Sequence, residues 1–214
     1  MHNVTVAFAA LLVMLLSYFF GCFNGSFMVS HFIIRDDVRK HGSGNAGLTN
    51  FYRTYGAKYA LLVIACDMGK TVAACLLGSF FFRCLGWDGT LGTLLAGLGC
   101  ELGHIFPVFY GFRGGKGILS GGTLVLLLNW RVAAVAWALF LLLWLTTRYV
   151  SLASITATCS APITVYFVYG HNWLYTGLCL AVAALVVWCH RENIQRLLHG
   201  TEKKFKWHVN PTEG

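Results

Sequence analysis

Val4-Thr5-Val6-Ala7-Phe8-Ala9-Ala10-Leu11-Leu12-Val13-Met14-Leu15-Leu16-Ser17-Tyr18-Phe19-Phe20 contains no charged residue, and its length approaches the roughly 20 apolar residues that cross a bilayer. No basic segment precedes it and no small-x-small cleavage site stands before Asn24. It is therefore expected to be a retained span rather than a signal peptide. Charge-poor runs of similar length recur as far as residue 189, and the predicted spans are 4–28, 59–82, 91–110, 117–129, 132–147, 150–169 and 173–189. The turn and charge signals that separate them include Arg83 to Gly89, Gly111 to Lys116, Asn129 to Arg131 and Gly170 to Asn172. Of the 214 residues 57% are hydrophobic and 11% charged, well below the roughly 25% charged of soluble domains. The expected fold class is an all-α integral membrane protein with seven transmembrane helices, forming a single domain over 1–214 with a short cytoplasmic tail, 191–214. The fourth span is short and glycine-rich, and a five-span version with 117–147 as one re-entrant unit preserves the same sidedness.

Basic residues set the expected orientation, because cytoplasmic loops collect Lys and Arg. With the N-terminus outside and the C-terminus cytoplasmic, the cytoplasmic segments hold Arg35, Arg39, Lys40, Arg53 and Lys58, then Arg113 and Lys116, then Arg148, then Arg191, Arg196, Lys203, Lys204 and Lys206. The opposite loops hold only Arg83 and Arg131, and Lys70 lies within a span. The net charge of +8 thus reports topology, and no basic-aromatic platform points to nucleic acid. The eight cysteines are scattered through apolar segments without a C-x-x-C pair, which fits small core hydrophobes better than a metal site or disulfide framework.

This orientation puts three polar stretches on one face: His41-Gly42-Ser43-Gly44-Asn45, Gly111-Phe112-Arg113-Gly114-Gly115-Lys116-Gly117, and His190-Arg191-Glu192-Asn193-Ile194-Gln195-Arg196. Glycines let backbone N–H groups converge on an anion, and a helix starting near Thr49 would add its positive dipole end. Asn45, Thr49 and Asn50 are small donors in the same loop. The second stretch is not a nucleotide P-loop, since Tyr110 stands where the first glycine belongs and Gly117 follows the lysine. In the third, helical spacing puts His190 and Asn193 on one face, and Arg148 with Ser151 and Ser154 is a weaker cluster of the same kind. Within spans, Asp67 with Lys70 and Glu101 with His104 stand at i,i+3; the first is expected to be a mutually neutralising pair and the second to pair locally or support a loop. No G-x-S-x-G elbow and no H-E-x-x-H occurs, so an enzyme here would rely on positioning and anion stabilisation.

Four blocks spread over the chain carry a resemblance. They are Asp37-Val38-Arg39 leading into Gly42-Ser43-Gly44-Asn45-Ala46-Gly47-Leu48-Thr49-Asn50; Gly103-His104-Ile105-Phe106-Pro107 through Gly114-Gly115-Lys116-Gly117; Arg148-Tyr149-Val150-Ser151-Leu152-Ala153-Ser154-Ile155; and His190 through Leu197 with Gly200 and Glu202. On these the chain resembles the bacterial membrane-bound acyl-phosphate:glycerol-3-phosphate acyltransferases. The resemblance implies a seven-helix enzyme that transfers a fatty acyl group from acyl phosphate to the 1-hydroxyl of glycerol 3-phosphate. The products are lysophosphatidic acid and phosphate, in the first acylation of phospholipid synthesis.

It also implies a bacterial inner-membrane location with the active site facing the cytoplasm. Glycerol 3-phosphate, acyl phosphate and membrane lipid are the expected partners, with no cofactor, no metal and no obligate protein partner. Ser43, Arg53, Lys116, Ser154, His190 and Asn193 match the family's catalytic positions, and Gly114-Gly115-Lys116-Gly117 its phosphate loop. Arg39, Gly42, Gly44, Asn45, Thr49, Asn50, Gly114, Gly115, Gly117, Ser151 and Arg196 are the accompanying substrate-binding candidates. The chain departs from the family pattern at Gly25-Ser26-Phe27-Met28, which lacks the usual proline, at Leu48 in place of alanine and at Arg35 in place of glycine. The hydroxyl proton has two candidate acceptors, His190 and a phosphate oxygen of the acyl donor, and the resemblance favours the second. A membrane transporter of an organophosphate or other anion is the competing reading, and a lipid-organising protein whose basic loops contact headgroups is a third.

Overall fold

The computed structural model describes residues 2–206, and its described residues are helical with no strand. The last part of the expected tail, 207–214, lies outside them. In chain order the α-helices are α1 (His2–Cys22), α2 (Gly25–Met28), α3 (Leu48–Tyr55), α4 (Ala60–Cys84), α5 (Gly89–Ile105), α6 (Ile118–Leu128), α7 (Trp130–Thr147), α8 (Val150–Val168), α9 (Trp173–Cys189) and α10 (Arg191–Leu198). A π-helical turn at Val29–Ile34 continues α2, and 3-10 turns occupy Val38–Lys40 and Val108–Tyr110.

Polar residues in the expected breaks become helix N-caps. Asp88 accepts a hydrogen bond from the Thr90 amide, Asn129 from Arg131 and Asn172 from Tyr175, so each side chain satisfies a donor that the first helical turn leaves open. The first expected span is not continuous. Asn24 stops α1, accepts from the Phe27 amide at 2.9 Å and restarts the chain as α2.

Five stretches are long and apolar enough to cross a membrane: Val4–Ile34, Ala60–Cys84, Gly89–Tyr110, Trp130–Thr147 and Val150–Val168. A sixth is the pair α9 and α10 if counted together, although it bends by 59°. The expected fourth span appears as α6, whose 11 residues extend only about 16 Å at ~1.5 Å per residue, roughly half the hydrocarbon thickness. Side chains such as Phe8, Leu11, Leu61, Phe80, Leu145, Ile163 and Phe167 are exposed on these helices, as an apolar solvent requires.

Two compact units divide at Leu124 and Val125. In the first, α5 packs against both α1 and α4. Glycines bring the backbones together: Gly99 faces the Met14 backbone, Gly103 the Tyr18 carbonyl, and Gly78 and Gly92 face each other. Without an aqueous hydrophobic effect between lipid-embedded helices, such close approach supplies the packing. In the second unit α7 pairs with α8 and α8 with α9, while α10 rests on α8 and α9.

The glycines differ in a testable way. A methyl group at Gly103 would meet backbone, whereas at Gly177 it would meet nothing within 4 Å. Gly103→Ala is expected to destabilise by about 1–3 kcal/mol through overpacking, against its better helix propensity. Gly177→Ala is expected to stabilise by about 0.5–1 kcal/mol. Thermal unfolding in detergent, with opposite signs for the two variants, checks this.

Candidate active site

Breaking a helix within an apolar solvent frees backbone groups that must find partners. Here α4 supplies them from Asp67 and Lys70, at i,i+3. Lys70 Nζ donates to the Phe23 carbonyl at 3.1 Å, to Asp67 Oδ1 at 2.7 Å and to His104 Nδ1 at 2.7 Å. Asp67 Oδ1 also accepts from the Gly25 amide at 3.0 Å. The ammonium has three protons and three acceptors, so His104 receives at Nδ1 and the neutral ring carries its hydrogen on Nε2. Lys70 is 7% exposed and Asp67 1%. The expected neutralising pair is therefore present, and it also closes the break in the first span.

The two glycine stretches of the first unit meet beside this network. The Ala46 amide donates to the Gly114 carbonyl at 3.3 Å, and Asn45 Nδ2 donates to the same oxygen at 3.4 Å. Asn24 Nδ2 in turn donates to the Ala46 carbonyl at 2.9 Å. Gly114 and Gly115 donate to the carbonyls of Ile105 and His104, each at 3.1 Å. Those two amides are thus spent on the protein rather than turned toward an anion, contrary to the reading of these glycines as convergent donors. Their lack of side chains has a different cause: a Cβ at Gly114 would collide with the His104 carbonyl, and one at Gly115 with the His104 ring.

Asn50, in the first turn of α3, holds the other stretch. Its Nδ2 donates to the carbonyls of Val38, His41 and Asn45 at 3.0–3.1 Å, and its Oδ1 accepts from the Ser43 amide at 2.9 Å. Gly42, at φ +59, lies directly over that amide group. Ser43 is exposed at the tip of the turn, α3 starts at Leu48, next to Thr49 as expected, and Arg53 lies in its last turn. Lys116 is half-buried between Gly115 and Gly117, just ahead of α6. Arg39 grips Asp37 through Nε and Nη2, donates from Nη1 to the Tyr110 carbonyl at 2.7 Å and stacks on Phe27. Hydrogen bonding from Arg39 outweighs partial burial and holds the Asp37 carboxyl below its ordinary pKa. Arg39 and Asn50, both substrate-binding candidates, thus also hold the loop together.

In the second unit, Ser151, Asn193 and Arg196 converge on Glu202. Ser151 Oγ and Asn193 Nδ2 each donate to Glu202 Oε1 at 2.7 Å, and Arg196 Nε donates to Oε2 at 2.7 Å. His190 caps the junction of α9 and α10, buried, with Nδ1 2.8 Å from the Val186 carbonyl. A carbonyl only accepts, so Nδ1 carries a proton and donates it here. Ser154, one helical turn beyond Ser151, has a buried hydroxyl with no hydrogen-bond partner. A buried polar group without a partner is costly, and the Ser26 and Ser120 hydroxyls share this condition.

The candidate residues fall into two groups, Arg39 to Asn50 with Arg53 and Gly114 to Gly117 in the first unit, and Ser151, Ser154, His190, Asn193 and Arg196 in the second. Glu202 belongs with the second group; its place in the fourth resemblance block was the signal for it. Lys70, His104 and Asn24 support the first, and polar residues inside apolar spans were the signal for two of them. Glu101 does not pair with His104, and both its carboxylate oxygens are buried without hydrogen-bond partners. A further spacing, His31 to Asp36, reads as His-x-x-x-x-Asp, the signature of another acyltransferase class, and is not among the candidates above. The structure gives those two residues different partners. His31 stacks on Phe27, while Asp36 Oδ2 is bonded by His41 Nε2 at 2.7 Å and the Tyr55 hydroxyl at 2.9 Å.

A family model described as glycerol-3-phosphate acyltransferase matches residues 11–200. A glycerol-3-phosphate acyltransferase of Syntrophomonas wolfei is 40% identical over 196 residues, covering 92% of this chain and 96% of that protein. One from Finegoldia magna is 38% identical, covering 87% of this chain and 91% of the relative. Among solved structures, the glycerol 3-phosphate form of PlsY (YgiH), an integral membrane glycerol 3-phosphate acyltransferase, is similar with a TM-score of 0.81 and 37% identity, over 92% of this chain and 96% of that one. Its lysophosphatidic acid form gives 0.78 and 36%, over 92% and 95%.

The Glu202 cluster makes stability sensitive to acid. Burial opposes ionisation of this carboxyl, but hydrogen bonds from Arg196, Asn193 and Ser151 outweigh it and hold the pKa below the ordinary glutamate value. The depressed pKa stabilises the fold above the ordinary value of about 4.3, and that contribution is lost as pH falls through the lower value of the folded protein. Glu202→Gln is expected to lower the thermal unfolding midpoint at neutral pH and to flatten its fall between about pH 5 and 3. Unfolding scans across that range, wild type against variant, are the check.

Proposed function

The chain belongs to the glycerol-3-phosphate acyltransferase family, and from that premise we propose that it transfers a fatty acyl group from acyl phosphate to the 1-hydroxyl of glycerol 3-phosphate. One observation carries the reading: over nearly its whole length the chain is similar, in sequence and in fold, to an enzyme solved in forms named for glycerol 3-phosphate and lysophosphatidic acid, the acceptor and the product of this reaction. It is an acyltransferase, which displaces the transporter and lipid-organising readings. We assign it a single domain over 1–214, seven membrane segments with α6 the short fourth, an outside N-terminus and a cytoplasmic site in a bacterial inner membrane. The one-sided distribution of Lys and Arg supports that orientation.

In the proposed mechanism Ser43, Arg53 and Lys116 hold phosphate groups, while Ser154, His190 and Asn193 orient the glycerol and the scissile carbonyl. The 1-hydroxyl oxygen attacks the acyl carbonyl carbon, the bond from that carbon to the phosphate oxygen breaks, and phosphate leaves. The hydroxyl proton passes to a phosphate oxygen of the donor. The leaving group is already good, so charge stabilisation and orientation contribute most of the acceleration. His190 is the second candidate acceptor. The orphan hydroxyl of Ser154 and the cation of Lys116 are the groups this scheme needs in contact with substrate.

Purified protein in detergent, given acyl phosphate and glycerol 3-phosphate, is expected to release inorganic phosphate and form lysophosphatidic acid. No product from folded protein, with acyl-CoA succeeding as donor, would overturn the donor assignment. Lys116→Ala is expected to reduce kcat/KM for glycerol 3-phosphate by about 10- to 100-fold in folded protein, the range for losing a charged hydrogen bond. His190→Ala is expected to weaken binding while the single-turnover chemical step persists at saturating substrate. A chemical step abolished in that assay would make His190 the base.

A further inference from the structure

The hydrogen bonds around Lys70 close on themselves. From its Nζ the path runs to the Phe23 carbonyl, one residue on to Asn24, and from Asn24 Nδ2 to the Ala46 carbonyl. The Ala46 amide leads to the Gly114 carbonyl, the neighbouring Gly115 amide to the His104 carbonyl, and His104 Nδ1 back to Lys70 Nζ. The circuit runs directly after the first glycine stretch, at Ala46 three residues beyond Ser43, and through the second at Gly114 and Gly115, beside Lys116. Asn24, Ala46, Gly115 and His104 are buried, and Lys70 is nearly so. None of Lys70, His104 and Asn24 has a part in the acyl transfer described above.

We infer that Lys70, acting through His104 and Asn24, is a positioning group that sets the spacing of the two glycine stretches and so of Ser43 relative to Lys116. A single charged centre with three donors can bind the backbone of the broken span, the carboxylate that neutralises it and the imidazole under the second loop at once. In an apolar solvent each of these bonds is hard to exchange for another partner. The glycines at 114 and 115 let the second loop lie directly on the ring, so that a shift of His104 moves the loop with it. Links in one closed circuit are coupled, so breaking one perturbs the spacing and breaking a second adds less than its separate effect. A purely structural pair would lower stability without selecting one substrate constant.

The inference rests on the acyl-transfer reading, so wild-type protein is assayed first. Absence of product there overturns that reading and this inference with it, whereas an active wild type with unaltered variants overturns the inference alone. Four variants are compared in detergent: His104→Phe, which keeps a ring but no acceptor; His104→Asn, whose Oδ1 can take the place of Nδ1; Asn24→Ala; and the double variant His104→Phe with Asn24→Ala. His104→Phe and Asn24→Ala are each expected to raise KM for glycerol 3-phosphate about tenfold, with kcat within about threefold. The double variant should match the worse single one, and His104→Asn should return KM to within about threefold of wild type. An unchanged KM in folded His104→Phe, or multiplied penalties in the double variant, overturns the inference. If His104→Phe does not fold, Asn24→Ala decides, and a wild-type KM there overturns it.

Discussion

A lysine buried among membrane helices has to be surrounded by acceptors, and the first unit of this protein is arranged around meeting that demand. Asp67 neutralises Lys70, but an ammonium has three protons and one carboxylate oxygen takes only one of them here. The other two go to a carbonyl exposed by the break in the first span and to the imidazole of α5. The interruption at Phe23 and Asn24 and the buried charge therefore satisfy each other. Either alone would leave unpaired polar groups in an apolar solvent, at a cost of several kcal/mol each.

That arrangement explains why glycine is used in two separate ways. Along α5, Gly99 and Gly103 let α1 approach backbone to backbone, which places His104 at a fixed depth beside Lys70. Past the end of α5, Gly114 and Gly115 lie on His104, so the loop inherits the position of the helix. What looks in sequence like one flexible, phosphate-cradling segment is in its first half rigidly seated. Lys116 follows directly on these seated glycines. In the second unit, Glu202 plays a comparable part with opposite charge, gathering Ser151, Asn193 and Arg196 from two helices onto one carboxylate.

Much of this was legible in the chain. Spans over 59–82, 150–169 and 173–189 differ from α4, α8 and α9 by two residues or fewer at each end, because apolar runs in this protein end at strong signals such as Gly170 and the capping Asn172. The start of α3 near Thr49 and the pairing of Asp67 with Lys70 were equally readable, since both follow from local spacing. The break at Asn24 was not, because the apolar pattern continues across it and only contacts from α4 and Ala46 make a cap there worthwhile. Nor was the tie of Asn50 to three carbonyls, in which a residue that reads as a ligand donor is spent on the loop. Pairings between residues far apart in sequence leave no periodic trace.

By itself, the sequence determined an all-helical membrane protein with polar, glycine-rich segments, and through its motifs it determined the family. Composition and short-range periodicity decide these, because lipid accepts helices with apolar faces and little else. Only the tertiary structure decided which partners the buried groups take: Lys70 joins a broken helix to His104, Gly114 and Gly115 seat a loop on that ring, Glu202 gathers three candidates, and Ser154 is left with an unmet hydroxyl. Those choices depend on which backbones approach within hydrogen-bond distance, and that is set by the packing of whole helices rather than by any stretch of sequence.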